Sequence, residues 1–457
     1  MRALVAGLAA SLVLTACTGG GEDPPEPSGA SSSPTEATPE PVELTFAVSG
    51  TEEQVAAYTE VAQAFERAEP GVRIEVTELA DTAATLEALE GSEGPPADVF
   101  LLDSDYLTRL VVEDGEAIQP LDGLLEERGV AFGDDHQRVA LTELSAEAAL
   151  QCMPAEMSPL VVYANRDLLP PRRQLRSQGV EIPRATDPWT WAEFVTTARA
   201  VAASDGDAVR GTYLPVSVDL VTAFVRSAGD DIVDDVFEPT RVDLTSEEDL
   251  QVMSQLAVLA ADASVSLTPE EVEQRSAQER FAEGNLGLMV GTRADLPALR
   301  ESGVKFQVLP LPHFGRYRAV SSVTGYCISA QSPAVEEAAD FIDFAVSQEG
   351  ATILAESGAV VPARLDVASS TAFTQPGMPP TNYRVYADAV RRSEPTPFAA
   401  EWPELSVAVG AQLRALLTDP TVDLGIELPR RLERLSRRSE QVLSPEETEE
   451  IDPGEGG

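Results

Sequence analysis

Val42-Glu-Leu-Thr-Phe-Ala-Val48, Ser49-Gly50, Thr51-Glu-Glu-Gln54, an apolar stripe at Val55, Tyr58, Ala62 and Phe65, Pro70-Gly71, and Val72-Arg-Ile-Glu-Val76 follow one another near the start of the chain. The alternation at 42–48 and 72–76 has the two-residue period of a strand. The stripe has the three-and-four spacing of one helical face. Thr51 and Gln54 stand at capping-box spacing, and Pro70-Gly71 stops the helix. A strand, a helix and a second strand in this order make a right-handed crossover between parallel strands. A polar helix at 82–90 and a loop at 91–96 follow, then Val99-Phe-Leu-Leu102 between Asp98 and Asp103, an apolar run fit for a strand buried on both faces. The expectation is an α/β fold on a parallel sheet. Ligands of such sheets sit beyond the carboxyl ends of the strands, which points to Ser49, Gly50 and Thr51 and to Asp103, Asp105 and Tyr106.

The alternation of elements continues outward. Leu160 to Ala164 reads as a strand, and Thr190-Trp-Ala-Glu193 as a second capping box with Trp191, Phe194, Ala198 and Val201 inward. Thr245 is the expected cap of a helix bearing Leu250, Met253, Leu256 and Leu259. Leu286 to Val290, Phe306 to Leu311 and Gly325 to Ile328 read as strands, and Ser332-Pro333 as the cap of a helix with Phe341 and Ile342 inward. The C-terminal stretches 405–417 and 428–442 read as helices, with Arg430, Arg431, Arg434, Arg437 and Arg438 on a wet face. The acidic run 230–235 lacks the spacing of a calcium loop and reads as a solvated turn.

Before the body, Arg2 precedes a short apolar stretch that ends at Leu14-Thr15-Ala16-Cys17, after which the sequence turns polar at once. A basic start, a brief apolar segment and small residues at the break describe an export signal over 1–16. The segment is too short to span a bilayer, which takes roughly 20 residues. Leu-Thr-Ala-Cys also resembles a bacterial lipobox, which implies lipidation of Cys17. Residues 17–41 are rich in Gly, Pro, Ser and Thr, and 444–457 are acidic with Gly and Pro. Both are expected to be disordered, the first as a spacer off a membrane. The 457 residues carry a formal charge of −45, which disfavours nucleic acid and anionic head groups as partners. Three cysteines are present. With Cys17 assigned to lipid, Cys152 and Cys327 are an even pair in an oxidising compartment, bonded or two buried thiols.

Several pieces in order resemble the family 1 extracellular solute-binding proteins, the sugar receptors of ABC importers related to maltose-binding protein. They are Phe65-Glu-Arg-Ala-Glu-Pro-Gly-Val-Arg-Ile-Glu-Val76, Pro96-Ala-Asp-Val-Phe100, Met153-Pro154 through Tyr163-Ala-Asn165-Arg-Asp-Leu168, Pro188-Trp-Thr-Trp-Ala-Glu-Phe194, Phe281-Ala-Glu-Gly284 through Gly291, and Ala338-Ala-Asp-Phe-Ile-Asp-Phe344. The resemblance covers about 42–440 and implies a two-lobe periplasmic-binding-protein-like fold with hinge segments and a ligand cleft between the lobes. Lobe one would hold about 42–153 and 318–370, lobe two about 160–312 and 371–440, with crossings near Pro154, Pro310–Phe314 and residue 370. It also implies hinge strands lying side by side at Cys152 and Cys327, so that a disulfide would brace one side of the hinge.

Sugar recognition needs flat aromatic faces and planar hydrogen-bonding groups. Aromatic residues are 5% of the chain, so those near strand ends stand out: Tyr106, Tyr213, Tyr326 and Trp402, each a ligand platform or a packing residue. Trp189 and Trp191 open a helix on its apolar face and read as structural. Glu53 is a ligand group or a helix-dipole carboxylate. Asp103 and Asp105 accept sugar hydroxyls, cap a helix or hold a cation. In the family pattern Glu156 and Ser158 face the cleft, and an aromatic follows the glycine where this chain has Gly291-Thr292-Arg293. Arg293 there would stack on a ring or take an anionic group.

No G-x-S-x-G, H-E-x-x-H or P-loop occurs in the chain. Two acidic residues suffice for a glycosidase, so a lipid-anchored hydrolase is the competing class, and a structural or signalling lipoprotein the third. The resemblance favours a tethered receptor with no cofactor and no metal, expected to be a monomer outside the bacterial cell membrane. Its partners would be a small solute, a carbohydrate by the resemblance, and the permease of an ABC importer.

Overall fold

The computed structural model describes residues 41–90, 97–112, 117–130, 132–177, 179, 188–204 and 209–444. The export signal, Cys17, the spacer to residue 40, the 91–96 loop and the tail from 445 lie outside the described residues.

The strands in chain order are β1 Val42–Val48, β2 Val72–Glu78, β3 Val99–Asp103, β4 Ile118–Gln119, β5 Ser145–Ala146, β6 Ala149–Leu150, β7 Met153–Pro159, β8 Val161–Asn165, β9 Arg210–Tyr213, β10 Leu286–Gly291, β11 Phe306–Leu309, β12 Ser321–Ser329 and β13 Val361–Pro362. They form a seven-stranded sheet in the order β13-β7-β12-β3-β1-β2, with β4 beside β12, a four-stranded sheet in the order β11-β8-β10-β9, and the small β5-β6 hairpin. Each large sheet, with the helices around it, makes one lobe of a mixed α/β two-lobe fold.

Only two of the six pairings in the first sheet are parallel. β1 pairs in parallel with β2 from Val42↔Val72 to Val48↔Glu78, and with β3 at Phe46↔Val99. β12 then runs antiparallel to both β3 and β7. A wholly parallel sheet was the local expectation. β12 re-enters this lobe from the other one, so no crossover helix sets its direction.

The helix Glu52–Ala68 begins at Thr51, whose hydroxyl accepts from Gln54 N while the Gln54 side chain accepts from Thr51 N. Thr190 and Glu193 make the same box for the helix Trp191–Ala202. The helix Glu247–Ala260 is capped by Ser246 rather than Thr245, because Asp249 completes the box at Ser246. The helix Val335–Val346 has no side-chain cap. Ser332 turns instead to Asp98, donating to Oδ1 at 2.6 Å. Asp98 Oδ2 accepts from Thr45 N and Oγ1 at 2.8 and 2.9 Å, so one buried carboxylate ties β1, the start of β3 and the segment after β12.

The first core gathers Phe46, Tyr58, Phe65, Tyr326 and Phe341 in edge-on and tilted contacts. The second gathers Trp189, Trp191, Phe194 and Phe224 with Phe314 packed against them, so both tryptophans are packing residues. The chain changes sheet at Leu160, between β7 and β8, and again between β11 and β12. All of β7 stays in the first sheet, so the first crossing falls after Pro159 and not near Pro154. The third crossing is broad. The helix Arg384–Val390 packs against β7 of the first sheet and β8 of the second, and Tyr386 meets Tyr163 of β8 hydroxyl to hydroxyl at 2.8 Å.

Cys152 and Cys327 are bonded, with Cα atoms 4.5 Å apart. That is the spacing of a directly opposed, non-hydrogen-bonded antiparallel pair. The β12–β7 register, with Tyr326 opposite Met153, brings the two cysteines face to face.

Candidate functional site

The carboxyl end of β3 is the centre of the site. Asp103 accepts from Thr82 Oγ1 and Thr324 Oγ1, both at 2.8 Å, which fixes the strand end between the helix Thr82–Glu90 and β12. A short helical turn then places Ser104, Asp105 and Tyr106. Ser104 is buried and donates to Glu143 Oε2 at 2.6 Å. Burial pushes the Asp105 carboxyl up to about 7, with Asp219 and Asp103 adding to the rise. Burial also raises the Tyr106 phenol, followed by the charges of Asp103 and Glu404.

Asp219 and Glu404 belong to the other lobe. Asp219 lies in the first turn of the helix Val218–Ala228, whose N-cap Ser217 accepts from Leu220 N. Burial raises its carboxyl, Arg226 opposes that and Asp103 adds to it. Arg226 is buried, with Nε on Asp231 and Nη1 and Nη2 donating to the carbonyls of Glu394 and Pro395 at 3.0 and 2.7 Å. It thereby ties down the segment that carries Thr396, whose hydroxyl donates to Glu143 Oε2 at 3.4 Å. The Asp230–Asp235 run is therefore not a plain solvated turn, since Asp231 holds Arg226 and Asp234 pairs with Arg241. Glu404, on the helix Trp402–Leu417, pairs with Arg109 across the seam.

Glu143 is 1% exposed and its carboxyl is pushed up to about 8, by burial first, against the hydrogen bond from Ser104. Its Oε1 has no hydrogen-bond partner. The seam between the lobes thus holds Asp103, Asp105 and Glu143 from one side and Asp219 from the other, with hydroxyls of Ser104, Thr396 and Tyr106 among them. Such a set accepts hydrogen bonds from ligand hydroxyls or amines. Among the described residues no group of His, Cys, Asp and Glu is arranged to hold a metal ion.

The other sequence candidates fall elsewhere. Gly50 has φ +141 and abuts the Gln54 side chain, and Thr51 N donates to Gln54 Oε1 at 3.0 Å, so the cap itself uses the amide expected to face a ligand. Ser49 and Glu53 lie partly exposed beside it. Glu156 is buried in the first lobe, accepts from Gln54 Nε2 at 2.7 Å, and is pushed up to about 8 by burial and then by Asp103. The Tyr58 hydroxyl lies beside the Glu156 carboxyl, and the Tyr326 hydroxyl is buried without a hydrogen-bond partner. Ser158 is half-buried on β7, opposite Ser322 of β12. Tyr213 is half-buried on β9 and lines a separate pocket of about 240 Å³ with Leu214, Pro269, Arg414 and Thr418.

For three candidates the structure favours the packing or stacking alternative over a ligand contact. Tyr326 is fully buried between Phe46, Tyr58 and Phe341, because its face of β12 turns toward the helices of the first lobe. Trp402 is 1% exposed in the second core, where the start of its helix packs. Arg293 is 1% exposed, with its guanidinium 4.0 Å over the Phe373 ring and Nη2 donating to the Phe373 carbonyl at 2.8 Å. The stacked cation thereby binds β10 to the segment carrying Phe373. Asp219, Glu143, Thr396 and Glu404 were missed. Asp219 follows the end of β9, where the strand-end rule that picked Asp103 applies equally. Nothing local marks Glu143.

Residues 60–380, well over half of the chain, match the family of bacterial extracellular solute-binding proteins. The chain belongs to that family. It is a solute-binding protein and not an enzyme. Among the described residues no helix is long and apolar enough to cross a membrane. Solved structures share its fold. An ABC substrate-binding protein of Listeria monocytogenes, in complex with cycloalternan, superposes at a TM-score of 0.75 with 17% identity, covering 89% of this chain and 99% of that one. The GacH receptor of Streptomyces glaucescens, solved unliganded and with acarbose, gives 0.73 and 19%, covering 89% and 99%. UgpB of Mycobacterium tuberculosis, in complex with glycerophosphocholine, gives 0.71 and 16%, covering 90% and 100%. In this solute-binding protein the seam at the end of β3 lies between the lobes.

Proposed function

We propose that this solute-binding protein captures a carbohydrate in the seam between its lobes and delivers it to the permease of an ABC importer, held outside the bacterial membrane by a lipid on Cys17. One observation carries the reading: the turn after β3 packs against the helix Trp402–Leu417 of the other lobe, where Arg109 pairs with Glu404, so that the two lobes meet at the end of β3. A solute bridging them stabilises the closed arrangement, and closure is the form a permease would read. The solutes of the Listeria and Streptomyces neighbours, cycloalternan and acarbose, support a carbohydrate. Lobe one comprises about 42–159 with 321–370, lobe two about 161–312 with 398–440, and 371–397 joins them. Asp103, Asp105, Tyr106, Glu143, Asp219 and Thr396 are the contact residues of this reading. The receptor works as a monomer, on the far side of the membrane from the importer's ATPase.

A thermal-shift screen of the purified chain over mono- and oligosaccharides, polyols and polyamines tests it. A ligand at about 100 times its Kd adds about 2.7 kcal/mol to stability, which registers clearly. Turnover of a labelled oligosaccharide, or a screen in which no solute raises the midpoint, would refute capture. Cys17→Ala is expected to release the protein from the membrane fraction, and retention there would refute the anchor.

A further inference from the structure

The cavity of about 240 Å³ beside the end of β9 lies in the second lobe. Leu214, Val216 and Leu267 form its buried floor, and Tyr213 and Val272 are half-buried walls. The helix Trp402–Leu417 brings Arg414 and, at its end, Thr418 to the remaining side. Arg414 follows Glu404 by ten residues on that helix, a rise of about 15 Å, so the cavity stands apart from the seam pair. Two lining hydroxyls are satisfied internally: Ser266 donates to the Leu259 carbonyl at 2.6 Å and Thr418 to the Arg414 carbonyl at 2.8 Å. Three polar groups are not. Arg414 Nε donates to the Val216 carbonyl at 3.3 Å, which holds the guanidinium at the cavity wall and leaves Nη1 and Nη2 without a partner among the described residues. Glu273 lines the same cavity, is exposed, and has no ion pair among the described residues. The Tyr213 hydroxyl has no hydrogen-bond partner among them either. Burial raises its phenol, and the Arg414 guanidinium opposes that rise.

A guanidinium and a carboxylate thus line one cavity without pairing with each other, over an apolar floor. A neutral sugar would set its hydroxyls against Leu214, Val216 and Leu267, which offer them nothing. A wholly apolar ligand would leave both charges unused. We propose that this cavity is a second binding site, which takes an apolar amino acid in its zwitterionic form. The carboxylate bridges Arg414 and the Tyr213 hydroxyl, the ammonium meets Glu273, and the side chain rests on the floor. A guanidinium fork matches a carboxylate with two parallel bonds, and an ammonium brings three donors to the Glu273 oxygens. An apolar cavity of about 150 Å³ holds a benzene molecule, so this larger one admits a phenyl ring, with the charged groups of the ligand at the rim where Arg414 and Glu273 are exposed. The site does not depend on the seam being the place of solute capture.

Titration calorimetry on the full chain at neutral pH compares four probes. L-phenylalanine has both charges and an apolar side chain, glycine has the charges alone, phenylacetate lacks the ammonium and phenethylamine lacks the carboxylate. The expected result is phenylalanine bound at least tenfold tighter than each of the other three. Arg414→Gln should lower the phenylalanine affinity at least tenfold and leave that of phenethylamine unchanged. Glu273→Gln should lower it as much and leave that of phenylacetate unchanged. Both side chains are exposed, so neither change disturbs the core. Phenylalanine that does not bind, or that binds equally to both variants and so lodges elsewhere, overturns the proposal. Glycine or a singly charged probe binding as tightly as phenylalanine overturns it as well.

Discussion

Reduction of the Cys152–Cys327 bond is expected to destabilise the body substantially without changing its fold. The bond closes a loop of 175 residues. For a loop of that length the chain-entropy relation gives about 5 kcal/mol at room temperature, an effect that acts on the unfolded chain. With a urea m-value of roughly 4 kcal/mol/M for a body this large, the midpoint should fall by about 1 M. Both sulfurs are fully buried, so a reductant reaches them through opened states and native protein should react slowly. The assay is urea unfolding followed by intrinsic fluorescence, with oxidised protein and with protein reduced in denaturant and refolded under reductant. The same wild-type chain in two redox states avoids the cavities that Cys→Ala changes would leave. Non-reducing peptide mapping must also find the two cysteines joined. Equal midpoints, or peptides carrying two separate alkylated thiols from protein made in an oxidising compartment, would refute the reasoning.

Four further outcomes are expected. Asp98→Ala removes the acceptor for Thr45 N, Thr45 Oγ1 and Ser332 Oγ and should cost about 3 kcal/mol in urea unfolding; a loss below about 1 kcal/mol would contradict its role as a tie. Glu156, raised to about 8, keeps a proton in the folded state that the unfolded chain has already released above the ordinary carboxylate range, so its contribution to stability declines as pH rises from about 5 to about 8. Glu156→Gln should flatten that decline relative to wild type, and parallel pH profiles would count against the assignment. Tyr326→Phe removes a buried hydroxyl without a partner and should leave stability and solute affinity unchanged or slightly improved, whereas a tenfold loss of affinity would restore Tyr326 to the site. Glu404→Gln breaks the pair with Arg109 across the seam, and since both ends are partly exposed it should weaken solute binding by less than about fivefold in calorimetry.

The alternating elements and two capping boxes rest on short-range chemistry: a two-residue or 3.6-residue period and a Thr three positions before a Gln or Glu. Such signals are complete within a dozen residues, and a series of them in order was enough to indicate the family. The strand-end rule likewise brought Asp103, Asp105 and Tyr106 to the seam. Solvent access to the larger side chains was not legible in this way. Tyr326, Trp402 and Arg293 stand at plausible strand and helix ends, yet each is enclosed by residues distant in sequence, Phe46 and Tyr58 for Tyr326 and Phe373 for Arg293. The acidic character of the seam depends on Glu143 and Asp219, which no local pattern joins to Asp105. The sequence alone determined most of the elements, the family and the strand end at β3 on which the candidate site is built. The meeting of two lobes, separated along the chain by more than a hundred residues, decided which carboxylates share one desolvated space, because burial and charge proximity are properties of packing and not of sequence order.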